Sequence, residues 1–244
     1  MPERKFQTAK EAAKGLGRLI LIYGTEGAGK TTLAATLCDH EEYNPVMMID
    51  IDGSADAVED RENMIYERVY SFAEYKSLQN YVMNHPEEFK SIIIDGLTGL
   101  QEKYLQSINP NNEPKTWDHW NKNDQEMQDI LRKWKKWCEK TGNIVFFSAW
   151  EVEDTDEISK LTIRRLNTAP KLAKKLLGIP NITGYINQPK PSSEERVLHV
   201  GKTRTTSGKL RQPVSAKVKI PPEIKNPDLG KILKVLEGKA DSWQ

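Results

Sequence analysis

At 244 residues, with 37% hydrophobic and 29% charged positions, the chain is long enough for one large α/β domain. Its apolar runs at 19–23 and 92–94 are far too short to cross a bilayer, and the charged opening at 1–15 has no apolar signal core, so no membrane contact is expected. Cys38 and Cys138 make no CxxC pair, and His40, His85, His119 and His199 lack metal-ligand spacing. Disulfide frameworks and zinc sites are therefore set aside, and a reduced cytoplasmic setting with structural thiols is expected. The net charge of +1 hides a polarity. Between Ile158 and Ile220 there are 14 basic residues against Glu194 and Glu195, a net of +12, which suggests a side that faces a polyanion.

Along the chain, Thr8-x-x-Glu11 is a capping-box pattern, so 1–18 is expected to hold a short N-terminal helix. The apolar run 19–23 has strand length. It leads into Gly24-Thr25-Glu26-Gly27-Ala28-Gly29-Lys30-Thr31, followed by Thr32, and then into a helical pattern at 31–38. This is the full G-x-x-x-x-G-K-[ST] phosphate loop in its proper setting. Small residues let backbone N–H groups curl round a phosphate while the following helix aims its positive end at the same oxygens. Lys30 is placed for the β- and γ-phosphates, and the Thr31 hydroxyl for Mg²⁺.

Residues 46–51 form a second buried strand ending in Asp50 and Asp52, which alternation puts on one side. Either carboxylate can activate water, or both are solvated strand-end residues. A helix is expected at 72–82. Residues 91–95 form a strand ending in Asp95, the candidate second ligand of the magnesium shell. A helical insertion at 109–140 contains a long amphipathic helix over 124–140, with Trp134 in the core and Trp117 and Trp120 expected to pack. Residues 144–149 form a further strand, and Trp150 after it reads as core or hinge.

Residues 151–168, acidic and then basic, read as a mobile loop. A basic helix follows at 169–177, then strands at 182–186 and 196–200 around a Pro189–Pro191 turn, and a helix at 229–236 inside a 221–244 tail. The expected architecture is α/β: a RecA-like P-loop core in a single domain, with a mainly parallel sheet, helices on both faces and a late antiparallel extension.

The order of these motifs resembles that of RecA-type recombinases. The whole chain resembles compact phage-encoded nucleotide-binding proteins of the AAA/RecA-like group, some of which are single-strand annealing ATPases. GTEGAGKTT at 24–32, IIIDGLTGL at 92–100, NIVFFSAWE at 143–151, APKLAKKLLGIPNITGYI at 169–186 and GKTR at 201–204 carry the resemblance. It implies ATP and Mg²⁺ as ligands and Asp52 as the water-activating carboxylate, where the family usually has Glu. Lys202 and Arg204 would be finger residues reaching a neighbouring subunit of a homo-oligomer. Single-stranded DNA would be the partner, held by Lys160, Arg164, Arg165, Lys171, Lys174 and Lys175. At the end of the 144–149 strand, Ser148, Ala149 and Trp150 stand where the family has an amide sensor.

Asn121-Lys122-Asn123-Asp124 fits N-K-x-D, the guanine-reading motif, but it follows no buried strand and is read as coincidence. A GTPase, a small-molecule kinase and a nucleotide-switched DNA-binding protein that does not hydrolyse remain the alternatives.

Overall fold

The computed structural model describes residues 17–155, 160–188, 195–213, 216–240 and 242. The expected helix at 8–14 and the Pro189–Pro191 turn lie outside them. Six parallel strands form the centre of the sheet: β1 (Arg18–Gly24), β2 (Val46–Asp50), β3 (Met64–Arg68), β4 (Ser91–Asp95), the first half of β5 (Ile144–Thr155) and β7 (Ile182–Asn187). Their spatial order is β7-β1-β5-β4-β2-β3. The expected late antiparallel extension follows at the β7 edge, where β8 (Val197–His199) pairs with β7 and β10 (Glu223–Lys225) with β8, while the short β9 (Lys209–Leu210) also pairs with β7.

The central strands read as unbroken apolar runs because helices cover both faces. Alternation divides β1 between two cores. Leu19, Leu21 and Tyr23 face one, and Ile20 and Ile22 face the other. The first core is closed by α2 (Phe72–Asn84), α3 (Leu97–Ile108), α4 (Trp117–Thr141) and α5 (Pro170–Gly178); the second by α1 (Lys30–Ala35) and α6 (Leu229–Leu236). Removing one large side chain such as Trp134 from such a core costs on the order of 3–5 kcal/mol.

Several elements differ from the sequence expectation, each for a local reason. The α-helix after the phosphate loop ends at Ala35 and tightens into a 3-10 turn, Thr36–Asp39. Strand β3 is an edge strand whose Ile65 and Tyr66 stay exposed, so it carries no apolar signature. Helix α4 starts at Trp117, well before its apolar stripe. Thr116 Oγ1 accepts from the His119 N–H, and His119 Nδ1 accepts from the Thr116 N–H, so His completes a capping box normally closed by Glu or Gln. Trp134 is buried as expected, but Trp117 is 79% exposed and Trp120 37%, which corrects the packing expected of both.

The expected loop at 151–168 is largely an antiparallel arm. The second half of β5 runs beyond the sheet and pairs with β6 (Thr162–Leu166). Glu153 lies directly opposite Arg164, with their charged groups 3.0 Å apart, and Arg165 reaches Asp154 at 3.2 Å. The acidic run and the basic run thus zip together, since opposite charges across an antiparallel pair stabilise it.

Glu153→Lys puts like charges across that pair. The β6 amides are expected to exchange hydrogen about three- to tenfold faster, corresponding to a loss of about 1 kcal/mol. Unchanged exchange at low salt would show that the pairing does not depend on charge.

Candidate functional site

The parallel strands end in register along one edge. Gly24 of β1 is level with Trp150 of β5, Asp95 of β4 with Ser148, and Asp50 of β2 with Asp95. Residues far apart in sequence therefore meet at the carboxyl end of the sheet, where open α/β sheets take their ligands.

The phosphate loop leaves β1 at Gly24. Gly27 and Gly29 adopt left-handed backbone at φ 71° and 90°, which L side chains seldom reach. Gly29 caps α1, so the positive end of that helix opens on the loop. The Lys30 ammonium donates to the Gly24 and Thr25 carbonyls at 3.0 and 2.6 Å. Burial lowers its pKa, opposed by Asp95, Asp52, Glu151 and Glu26. A buried cation held only by neutral carbonyls gains by exchanging them for phosphate oxygens.

Asp95 is 3% exposed and joins the loop to the sheet. Its Oδ2 accepts from Thr31 Oγ1 at 2.8 Å, its Oδ1 accepts from Ser148 Oγ, and its backbone carbonyl accepts from the Ile51 and Asp52 N–H groups. Thr31 and Asp95 thus bring two oxygen ligands to one point, a donor set suited to a hard cation such as Mg²⁺. Ser148, within the strand-end region where the resembling family has an amide sensor, donates to Asp95.

The two acids after β2 separate. Asp50 is fully buried and accepts from Tyr66 Oη (2.6 Å), Arg68 Nη1 (2.8 Å) and the Gly53 and Ser54 N–H groups (2.8 and 2.9 Å). Burial pushes its pKa up, but these hydrogen bonds outweigh it and hold the carboxyl below its ordinary value. It fastens β2 to β3 and has no oxygen left for water. Asp52, past the strand end, turns toward the start of α3. A Cβ on Gly96 would lie 1.9 Å from its Oδ2, and one on Gly99 2.1 Å from its Oδ1, so both glycines clear the space it occupies. Burial, then repulsion from Asp95 and Asp50, raises its pKa to about 6. The shared side expected of the pair is thus corrected: one acid is structural, and the other lies against Gly96 and Gly99 at the start of α3, within electrostatic range of Lys30.

Glu151 escaped the sequence reading. Its side chain is 4% exposed, and burial holds its carboxyl above the ordinary value, opposed by Tyr185 and Arg164. With Thr25, Glu26, Trp150 and Glu153 it lines a hollow of about 290 Å³ beside the loop. Trp150 is 38% exposed at its rim rather than core. A larger hollow of about 520 Å³, lined by Cys38, Asp39, Glu41, Asn44, Pro45 and Asn63, contains none of the phosphate-site groups.

Of the remaining expected residues, Lys202 and Arg204 are exposed on a turn anchored by the Ser207 N–H donating to Tyr23 Oη at 2.8 Å. They lie outside the cluster just described. Lys160 is exposed at φ 57°, and Lys171, Lys174 and Lys175 line the outer face of α5, whose Leu172, Ala173 and Leu176 are buried. Arg164 and Arg165 are held by Glu153 and Asp154 of their own arm. Asn121 to Asp124 lie within α4, where Lys122 pairs with Asp118 at 2.7 Å and Asn123 is buried. That leaves the N-K-x-D match without a base-reading loop. Among the described residues no helix is long and apolar enough to cross a membrane, and no group of three metal-ligating side chains occurs.

Compared with known families, residues 17–212 match the AAA domain, most of the chain's length, and the chain belongs to that family. No curated protein matches it.

The Asp52 carboxyl sets a stability test. Between its ordinary value and about 6, the folded chain keeps a proton that the unfolded chain has lost, so this group's contribution to stability falls as pH rises through that window. Asp52→Asn is expected to stabilise the protein at pH 7 by on the order of 1 kcal/mol, after allowing for solvent screening. The gain should vanish near pH 4 in thermal melts. A variant destabilised equally at both values would show that the carboxylate is not crowded.

Proposed function

We propose that this AAA-domain protein is a magnesium-dependent ATPase that acts on single-stranded DNA in recombination or annealing, as a homo-oligomer. The observation that carries the ATPase reading is the convergence of Lys30, the Thr31–Asp95–Ser148 chain and the half-buried Asp52 carboxyl at the carboxyl end of the sheet.

Phosphoryl transfer to water requires little covalent chemistry from a protein beyond positioning and charge. The loop amides from Gly24 to Thr32 and the α1 N-terminus bind the phosphate chain. Lys30 neutralises charge on the β- and γ-oxygens. Mg²⁺, when held through Thr31 and Asp95, supplies further neutralisation of the phosphates. Asp52, ionised above about pH 6, takes a proton from the water that attacks the γ-phosphorus; the γ-phosphorus–oxygen bond to ADP breaks, and Asp52 then gives up the proton. An Asp with a carboxyl pKa near 6 is a better base at neutral pH than an ordinary one, which offsets part of the reach lost relative to Glu.

ATP is favoured over GTP because the N-K-x-D match lies inside α4 with Asn123 buried. The DNA reading is supported by the outward lysines of α5 and by Lys160, which give sequence-independent affinity for a phosphate backbone. Arg164 and Arg165 join only by exchanging Glu153 and Asp154 for DNA phosphates. Lys202 and Arg204, exposed on the turn that Ser207 anchors to Tyr23, would complete a neighbour's site in an oligomer. The compact phage-encoded proteins that the sequence resembles give the annealing role its direction. A second reading, a switch that binds nucleotide without turnover, is favoured only by the shorter Asp at 52.

Steady-state phosphate release decides between these readings. Lys30→Ala is expected to weaken nucleotide binding more than tenfold, and Asp52→Ala to reduce turnover about 100-fold with binding retained. Wild-type turnover should fall as pH drops through about 6. Turnover untouched by Asp52→Ala would leave the switch or another base. A second measurement tests the partner. Changing Lys171, Lys174 and Lys175 together to Ala should weaken single-stranded DNA binding and flatten its log K against log salt slope by about 2, given roughly 0.7 per phosphate contact. An unchanged slope would remove α5 from the DNA surface.

A further inference from the structure

Arg196 lies outside every motif of the sequence, yet its side chain rests against the phosphate loop. Strand β8 runs antiparallel to β7, with Val197 level with Asn187, so Arg196, the residue just before β8, stands at the carboxyl end of the parallel strands. That is the edge from which the loop leaves β1. The approach is close. A Cβ built on Gly29 would lie 2.3 Å from Arg196 Nε, 2.5 Å from its Cδ and 2.8 Å from its Cζ. Gly29 therefore serves two needs, its φ of 90° and the clearance for this guanidinium.

The backbone of Arg196 is fixed from the neighbouring connection. Its N–H donates to Asn226 Oδ1 at 3.1 Å, and its carbonyl accepts from the Asn226 N–H at 2.7 Å. Asn226 itself is left-handed, at φ 43°, a conformation Asn tolerates better than most residues. Among the described residues no acid pairs with the guanidinium. A guanidinium set against the phosphate loop, with its backbone anchored and no acid paired to it among the described residues, suits an anion.

We propose that Arg196 is a nucleotide-binding residue, contacting phosphate oxygens common to ATP and ADP. This rests on the phosphate-loop reading above and extends it to a side of the loop for which no ligand contact is yet assigned. The assignment to shared phosphates follows from the sheet order. Asp95, Ser148 and Asp52 flank β1 from the β5 side, where the metal and the attacked γ-phosphate belong, whereas Arg196 comes from the β7 side. Asn226 is the positioning residue that holds it there.

The test measures dissociation constants for MgATP and MgADP by calorimetry on the full chain, for wild type, Arg196→Ala, Arg196→Lys, Asn226→Ala and Lys30→Ala, with thermal melts of each nucleotide-free protein. Arg196→Ala is expected to weaken both nucleotides about tenfold, which corresponds to about 1.4 kcal/mol, without lowering the melt. Arg196→Lys should recover part of that loss, since it keeps the charge without the fork. Asn226→Ala should cost less, and nothing further when added to Arg196→Ala. If Arg196→Ala stays within about twofold of wild type for both nucleotides while Lys30→Ala loses binding, the proposal falls and the phosphate-loop reading stands. A loss confined to ATP also overturns it, by moving Arg196 to the γ-phosphate. Wild-type protein that binds neither nucleotide would instead bring down the reading beneath it.

Discussion

The Asp95 carboxylate is the junction on which the site depends. One oxygen takes the Thr31 hydroxyl from the helix after the phosphate loop, the other takes Ser148 from β5, and the backbone carbonyl of the same residue holds the Ile51 and Asp52 amides after β2. Three strands and a helix are thus fixed relative to one another by one side chain that is 3% exposed. The arrangement is possible because β1, β5, β4 and β2 are parallel and end level with one another. A shift of one residue in any of those registers would turn the end residue to the other face of the sheet.

Around this junction the ionisable groups are deliberately uncomfortable. Lys30 is lowered by burial and rests on carbonyls; Asp52 is raised to about 6 by burial and by its acidic neighbours. Perturbed ionisable groups of this kind gather at functional sites, where charge must be placed rather than merely solvated. Asp50 shows the contrast. It sits two residues from Asp52 and is more deeply buried, yet four donors satisfy it and its pKa falls. Hydrogen bonding, rather than depth, separates the structural acid from the reactive one.

The charge polarity of the chain is partly spent inside the fold. Glu153 and Asp154 take up Arg164 and Arg165, and these pairs shape the β5–β6 arm. The outer face of α5 keeps its positive charge at the surface: Leu172 and Leu176 anchor the helix while Lys171, Lys174 and Lys175 are exposed. The counted excess of basic residues therefore overstates the arm and describes the helix well.

Much of this was legible in the linear chain. The phosphate loop needs consecutive residues with fixed chemistry, so Gly24 to Thr32 announce themselves, and buried parallel strands such as 19–23 and 91–95 are unbroken apolar runs that composition alone reveals. The edge strand β3 and the charge-zipped arm left no apolar trace, because edge residues stay wet and cross-strand ion pairs look like loop polarity until the partners are known. Tertiary structure alone decided which of Asp50 and Asp52 is free, what Ser148 holds, and that Arg196 lies on Gly29. Each depends on contacts between segments whose separation in sequence says nothing of their distance in space, set by strand register and by which face of the sheet each side chain meets.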